Sequence, residues 1–149
     1  SYFIKLMDHI AIMNKKLGLI SKILSREKTI ESRWYVSKKA PWNKIKQGDI
    51  VYFKNSGSLV TAKADVKKVL QFSDLNFDKV KQIIDEYGGT GKISLVNKDP
   101  ELKWSKGKKY CILVFLENPE EVKPFPINKK GFGNMCSWIC IDDIDKIII

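Results

Sequence analysis

Three residues that could do chemistry stand within six positions: Lys28, Glu31 and Arg33, in the run Lys28-Thr29-Ile30-Glu31-Ser32-Arg33. Trp34 and Tyr35 follow directly. Read as a strand, the run alternates. Thr29, Glu31, Arg33 and Tyr35 share one face, and Ile30, Ser32 and Trp34 share the other. A face carrying a carboxylate and a guanidinium is unsuited to a plain core. Its side chains either pair in solvent, where an ion pair contributes little, or line a polar cleft. In a cleft the planar fork of Arg33 would suit a phosphate or a base edge. If the chain is an enzyme, Lys28 and Glu31 are the catalytic candidates. Against that, a neighbouring cation lowers a carboxylate's pKa and weakens it as a base, and Glu31 favours the charged form of Lys28. The two charges are expected to neutralise each other at a cleft floor. Ser56 and Ser137 offer hydroxyls, but no base is visible beside either.

The charge map supports a polyanion partner. The chain of 149 residues carries a formal net charge of +10. Residues 1–75 hold 15 Lys+Arg against 6 Asp+Glu, whereas residues 76–149 hold 12 against 11. A one-sided basic half is the electrostatic footprint of a nucleic-acid partner, although it could equally dock an acidic protein. Aromatics stand among these cations: Trp34, Tyr35, Trp42 and Tyr52. Bases stack on such rings at about 1–3 kcal/mol each, and the interleaving suits single-strand or flipped-base recognition more than groove reading. Core packing is the commoner use of any one aromatic. Trp42, beside Pro41 in a basic loop, is the best candidate for exposure. The expected nucleic-acid contacts are Lys28, Arg33, Tyr35, Lys38, Lys39, Trp42, Lys54 and Ser56.

Composition excludes other classes. Hydrophobic residues make up 44% and charged residues 30%, the balance of one globular domain over residues 1–149. No apolar run approaches a membrane span, and no signal-peptide pattern opens the chain. Three cysteines and one histidine argue against a disulfide framework and a zinc site, and the odd thiol count fits a reducing cytoplasm. No cofactor motif survives inspection. The glycine-rich run from Gly88 to Lys92 lacks the P-loop hydroxyl and follows a helix, and Gly131-Phe132-Gly133 lacks the third glycine of a dinucleotide fingerprint.

The elements that would position these residues are mostly strands. Residues 2–6 and 10–13 read as short strands, 16–25 as a helix and 28–35 as a strand. Gly48-Asp49 turns into a strand over 50–54. Asn55-Ser56-Gly57 signals a hairpin into a long strand over 59–72, with a register shift near Lys67-Lys68. Asn76 caps a helix over 77–87 that ends at Gly88-Gly89. A loop over 90–109 precedes a strand over 110–116. Three prolines then break off a separate edge strand around Val122 and Phe125. A strand over 138–141 and a terminal turn or strand over 143–149 complete the order.

This arrangement resembles an ASCH domain of the PUA-like β-barrel superfamily. The likeness rests on a short helix ending in Ile23-Leu24-Ser25, the K-x-x-E-x-R core at Lys28, Glu31 and Arg33, and Pro41-Trp42. It extends to the Gly48-Asp49 turn leading into Ile50-Val51-Tyr52-Phe53, and to Trp138 near the end. The resemblance implies an α+β, mainly β, partly closed barrel with two or more helices, and a cleft where Lys28, Glu31 and Arg33 converge. It implies recognition of RNA or of a modified nucleoside. Some similar bacterial proteins are amidohydrolases of acetylated cytidine, but they place Thr where this chain has Glu31. Others are ribonucleases that use a lysine, a role only Lys28 could inherit. An RNA- or modified-nucleoside-binding module is the leading expectation. A small hydrolase of RNA or modified nucleosides and a protein-interaction domain are the alternatives.

Overall fold

In the computed structural model, which describes residues 4–88, 93, 99–133 and 135–149, six strands form one curled sheet in the order β2-β5-β4-β3-β1-β6. The strands are β1 (Asp8–Met13), β2 (Ile30–Tyr35), β3 (Ile50–Asn55), β4 (Val60–Phe72), β5 (Tyr110–Phe125) and β6 (Trp138–Ile141). Two α-helices accompany them, α1 (Leu19–Leu24) and α2 (Phe77–Tyr87). The chain is therefore α+β, mainly β, a partly closed barrel with two helices. Neighbouring strands are antiparallel except β1 and β3, which run parallel. A parallel pair needs a long crossover, and α1 and β2 occupy it.

Local chemistry explains most boundaries. Asn55-Ser56-Gly57-Ser58 makes the tight turn between β3 and β4, with Ser58 N–H donating to Asn55 O at 2.9 Å and Gly57 at a φ of +77°. Only glycine adopts that φ without steric cost. The expected register shift falls between Val66 and Lys68. Asn76 caps α2, its side chain accepting from Lys79 N–H at 2.9 Å. Replacing it with Ala is expected to cost about 1 kcal/mol, read as a lower urea midpoint with unchanged slope. An unchanged midpoint would show that the cap does not hold the helix start.

Three expectations need correction. The helix over 16–25 is split by Gly18, whose φ of +62° ends a 3-10 turn at Lys15–Leu17 before α1 begins. The prolines do not break β5, which runs 16 residues to Phe125. Asn118, at a φ of +52°, and Pro119 fall where the β4–β5 register slips between Lys63 and Asp65. At such a bulge the missing proline N–H costs no ladder bond. Residues 4–6 lie outside any strand, and residues 2 and 3 are outside the described residues. The glycine run after Gly88 and residues 90–92 and 94–98 of the 90–109 loop also fall outside them. Within that loop, Trp104 lies on a short 3-10 turn, Lys103–Ser105.

Burial is divided among three clusters. Ala11, Val51, Phe53, Ala62, Ile112, Val114 and Trp138 fill the barrel under α1, which contributes Ile20 and Ile23. Ile30, Val80, Ile83, Cys111 and Leu113 pack α2 on the outer face of β2 and β5. Ile10, Ile139, Ile144 and Ile147 form the third, against the C-terminal segment. The beginning of β5 reads as continuously apolar because both its faces are covered, Ile112 and Val114 inward and Cys111 and Leu113 under α2.

Candidate functional site

The polar face of β2 points into the barrel. Glu31 pairs in register with Val114 and Arg33 with Ile112, and those two partners belong to the interior cluster. The carboxylate is therefore buried, with only 5% of Glu31 exposed. Arg33 Nε donates to its Oε1 at 3.2 Å, and Lys28 Nζ stands 3.7 Å from Oε2. Lys28, 3% exposed, also donates to the carbonyls of Ile30, at 2.7 Å, and Ile93. Burial holds the Lys28 ammonium below the usual lysine range. Glu31 opposes that shift and Arg33 adds to it.

Arg33 also closes the barrel. Strands β2 and β6 are the two edges of the sheet. From β2, Arg33 Nη1 donates to Ser137 O at 3.2 Å and Nη2 lies 3.4 Å from Ile12 O. Ser137 O already accepts Ile12 N–H at 3.0 Å. One guanidinium thus spans edges that backbone bonds leave open, and a side-chain clasp blunts an otherwise unpaired strand edge.

A second buried chain meets the first at Trp138. The Arg33 guanidinium carbon sits 5.0 Å from the Trp138 ring centroid, within cation–π range. Trp138 Nε1 donates to His9 Nδ1 at 3.0 Å, and His9 Nε2 is 2.8 Å from Asp49 Oδ2. An indole N–H can only donate, so Nδ1 must accept and the proton sits on Nε2, donating to Asp49. His9 and Asp49 are fully buried. Burial pushes the His9 pKa down, against the pull of Asp49, so the ring is neutral. For Asp49, burial acts upward but is outweighed. The N–H groups of Met7 and Lys46 and the His9 ring hold its pKa below the usual carboxylate range. The Asp49 of the Gly48-Asp49 turn therefore anchors a line of contacts from Asp49 through His9 and Trp138 to Arg33, Glu31 and Lys28.

Above Trp138 opens a cleft of about 510 Å³, lined by Tyr35, Lys39, Phe132, Met135, Ser137 and Trp138 among others. Tyr35 Oη donates to Ala40 O at 3.0 Å, and burial raises its pKa, so it remains a phenol. Met135 is 94% exposed at the rim. Aromatic and apolar walls with two hydroxyls and one rim ammonium suit a flat, partly polar ligand.

The residues singled out from the sequence fall into groups. Lys28, Glu31 and Arg33 come together, as a buried network under the cleft and not among its lining residues. Tyr35 and Lys39 line the cleft. Lys38 is exposed beside it, its Nζ 5.8 Å from the Tyr110 ring. Trp42 is not the exposed aromatic expected. It is half-buried, edge-on to Tyr110 with centroids 5.1 Å apart, because the turn after Pro41 folds it onto the interior cluster. Trp34 packs edge-on to Trp104, and Tyr52 against Phe125. Lys54 is buried on β3, and Ser56 is exposed at the hairpin tip. Sequence reasoning missed His9 and Phe132 and the cluster Lys106, Lys108 and Lys109. Lys109 N–H donates to Tyr35 O at 2.8 Å, and the cluster lines a separate pocket with Asn76, Phe77 and Val80 at the start of α2.

No protein-family model and no curated protein matches the sequence. Solved structures match the fold. A tyrosine-to-phenylalanine variant of the ASCH protein from Zymomonas mobilis gives a TM-score of 0.62 at 14% identity, covering 89% of this chain and 88% of that one. The chain has the ASCH fold. A serine-to-alanine variant of the same ASCH protein gives 0.58 at 14% identity, over 82% and 75% of the two chains. A further ASCH structure from that organism gives 0.56 at 14% identity, over 78% and 71%. Within this ASCH-type barrel, the buried network and the cleft above it are the features that this chain's own side chains build. Among the described residues no helix is long and apolar enough to cross a membrane.

Proposed function

We propose that this chain is an RNA-binding module that takes one exposed or modified base into the cleft bounded by Tyr35, Phe132 and Trp138. The observation that carries the reading is the cleft itself, with aromatic walls and lysines at its edge. Lys39 stands at the rim, and Lys38 is its exposed chain neighbour. A base gains from stacking on such walls, while its flanking phosphates meet cations. The ASCH fold and the net charge of +10 agree with this reading. Arg33 serves it as a positioning residue that fixes Trp138.

Hydrolysis has weaker support. Lys28 Nζ is taken up by two carbonyls and Glu31, and such an ammonium has no lone pair to offer as a base. The test is fluorescence anisotropy with a short single-stranded RNA across a salt series, followed by a denaturing gel. The expected result is a log affinity that falls linearly with log salt, over intact RNA. A Lys38→Ala/Lys39→Ala double variant should lower the slope by about 1.4, or 0.7 per lost phosphate contact. No binding at low salt would overturn the proposal, and shortened RNA would replace it with a ribonuclease.

A further inference from the structure

Helix α2 begins with an exposed aromatic ring. Phe77, its first residue, is 50% exposed and, among the described residues, belongs to none of the three apolar clusters. The helix is anchored without it, through Val80 and Ile83. A single exposed apolar side chain is ordinary, but this one borders a pocket of about 310 Å³ between the start of α2 and the segment leading into β5. The floor of the pocket is apolar, since Leu75, Val80 and Leu102 belong to the cluster on the outer face of the sheet. Its rim is cationic. Lys103, Lys106, Lys108 and Lys109 line it, with Glu101 as the one acid among the described lining residues. Glu101 is already taken by Lys103, whose Nζ stands 3.2 Å from Oε2. The other three lysines make no ion pair among the described residues. Backbone bonds hold them in place instead. Lys106 N–H donates to Lys103 O at 3.1 Å and Lys108 N–H to Ser105 O at 2.9 Å. Between them Gly107 turns the chain at a φ of +82°, a conformation open to glycine without steric cost. Lys109 is fixed at both ends of its backbone, donating to Tyr35 O at 2.8 Å and accepting Leu75 N–H at 3.1 Å.

Unpaired cations on a fixed turn beside one free aromatic ring match the two parts of a nucleotide. The ring offers a face to a base, and the ammonium groups offer charge to phosphates. An acidic peptide would use the cations and leave Phe77 idle. We infer that this pocket is a second nucleotide-binding site, in which Phe77 stacks on one base and Lys106, Lys108 and Lys109 hold its flanking phosphates. The pocket lies on the outer face of the sheet, whereas Tyr35 and Trp138 of the cleft belong to the interior cluster. The two sites therefore take different nucleotides. The inference rests on the RNA reading for its ligand, a stretch of the single strand outside the cleft.

The test is fluorescence anisotropy with a short single-stranded RNA across a salt series. It compares wild type with Phe77→Ala, Phe77→Tyr and Lys106→Ala/Lys109→Ala, and with the cleft variant Lys38→Ala/Lys39→Ala. All five positions are exposed, so the variants should keep the fold, which matching urea midpoints check. Phe77→Ala should weaken binding about fivefold or more with the salt slope unchanged, and Phe77→Tyr should bind as wild type does. Lys106→Ala/Lys109→Ala should lower the slope by about 1.4, or 0.7 per lost phosphate contact. Wild-type affinity in Phe77→Ala, or a wild-type slope in the Lys106→Ala/Lys109→Ala protein, would overturn the site. If the cleft variant alone is weakened, the cleft reading stands and the second site falls. If only the pocket variants are weakened, the second site stands and the cleft reading falls. Absence of RNA binding by wild type at low salt would overturn both.

Discussion

Glu31→Ala is expected to lower the unfolding free energy by about 3–5 kcal/mol, the usual cost of removing one partner from a buried ion pair. Among the described residues Glu31 is the one carboxylate paired with both Lys28 and Arg33. Its loss leaves two buried positive charges facing each other. The clasp of Arg33 on Ser137 O and Ile12 O then has to hold the barrel edges without the carboxylate that orients its Nε. Lys28→Met should cost less. It removes a charge whose burial already holds its pKa down and leaves the Glu31–Arg33 pair intact. Urea unfolding of the three proteins, with matching slopes, checks both statements. A Glu31→Ala loss below about 1 kcal/mol, the range of an exposed ion pair, would mean that solvent reaches the network and that Arg33 closes the barrel by itself.

How far the network could be seen in the sequence follows from the range of its contacts. The alternation of residues 29–35 identified the right face, because side-chain direction in a strand is local. Whether that face met solvent or the interior depended on strand order. Only when β2 and β6 become opposite edges of one curled sheet does Arg33 reach Ser137, 104 residues away. The line through His9 is less local still. Asp49 read as turn chemistry, His9 as a lone histidine and Trp138 as a late aromatic. Their bonds span 40 and 129 residues, and no periodicity records such pairings. Trp42 misled because a proline in a basic loop suggests exposure, whereas the turn it starts folds back onto the core. The prolines of β5 misled for a related reason, since a bulge accepts a residue that a regular ladder would reject. Helix α2 and the β3–β4 hairpin were legible because cap, stripe and turn glycine are all short-range features.

Asp49 should be as costly to remove as Glu31, and its partner His9 should make the fold acid-sensitive from near neutrality. Asp49→Ala strips the acceptor from Met7 N–H, Lys46 N–H and the His9 ring. At about 1–3 kcal/mol for each buried group left unpaired, the total loss is about 3 kcal/mol or more. The pH dependence follows from the directions of the shifts. The folded pKa of His9 lies below its ordinary 6.5, so the unfolded chain takes the proton first as pH falls. The stability His9 contributes is complete above 6.5 and is lost progressively below it, down to the folded pKa, at up to about 1.4 kcal/mol per pH unit. Asp49, held below its ordinary 3.8, contributes stability that is present above that value and is lost only at lower pH. Asp8, raised by burial, acts in the opposite direction within the carboxylate range. The loss that begins at pH 6.5 therefore belongs to His9. Melting temperature should fall as pH drops below 6.5 in wild type and stay nearly level in His9→Gln. Equal slopes in the two proteins would show that His9 titrates alike folded and unfolded. The line of contacts from Asp49 to Arg33 would then have no neutral imidazole at its centre.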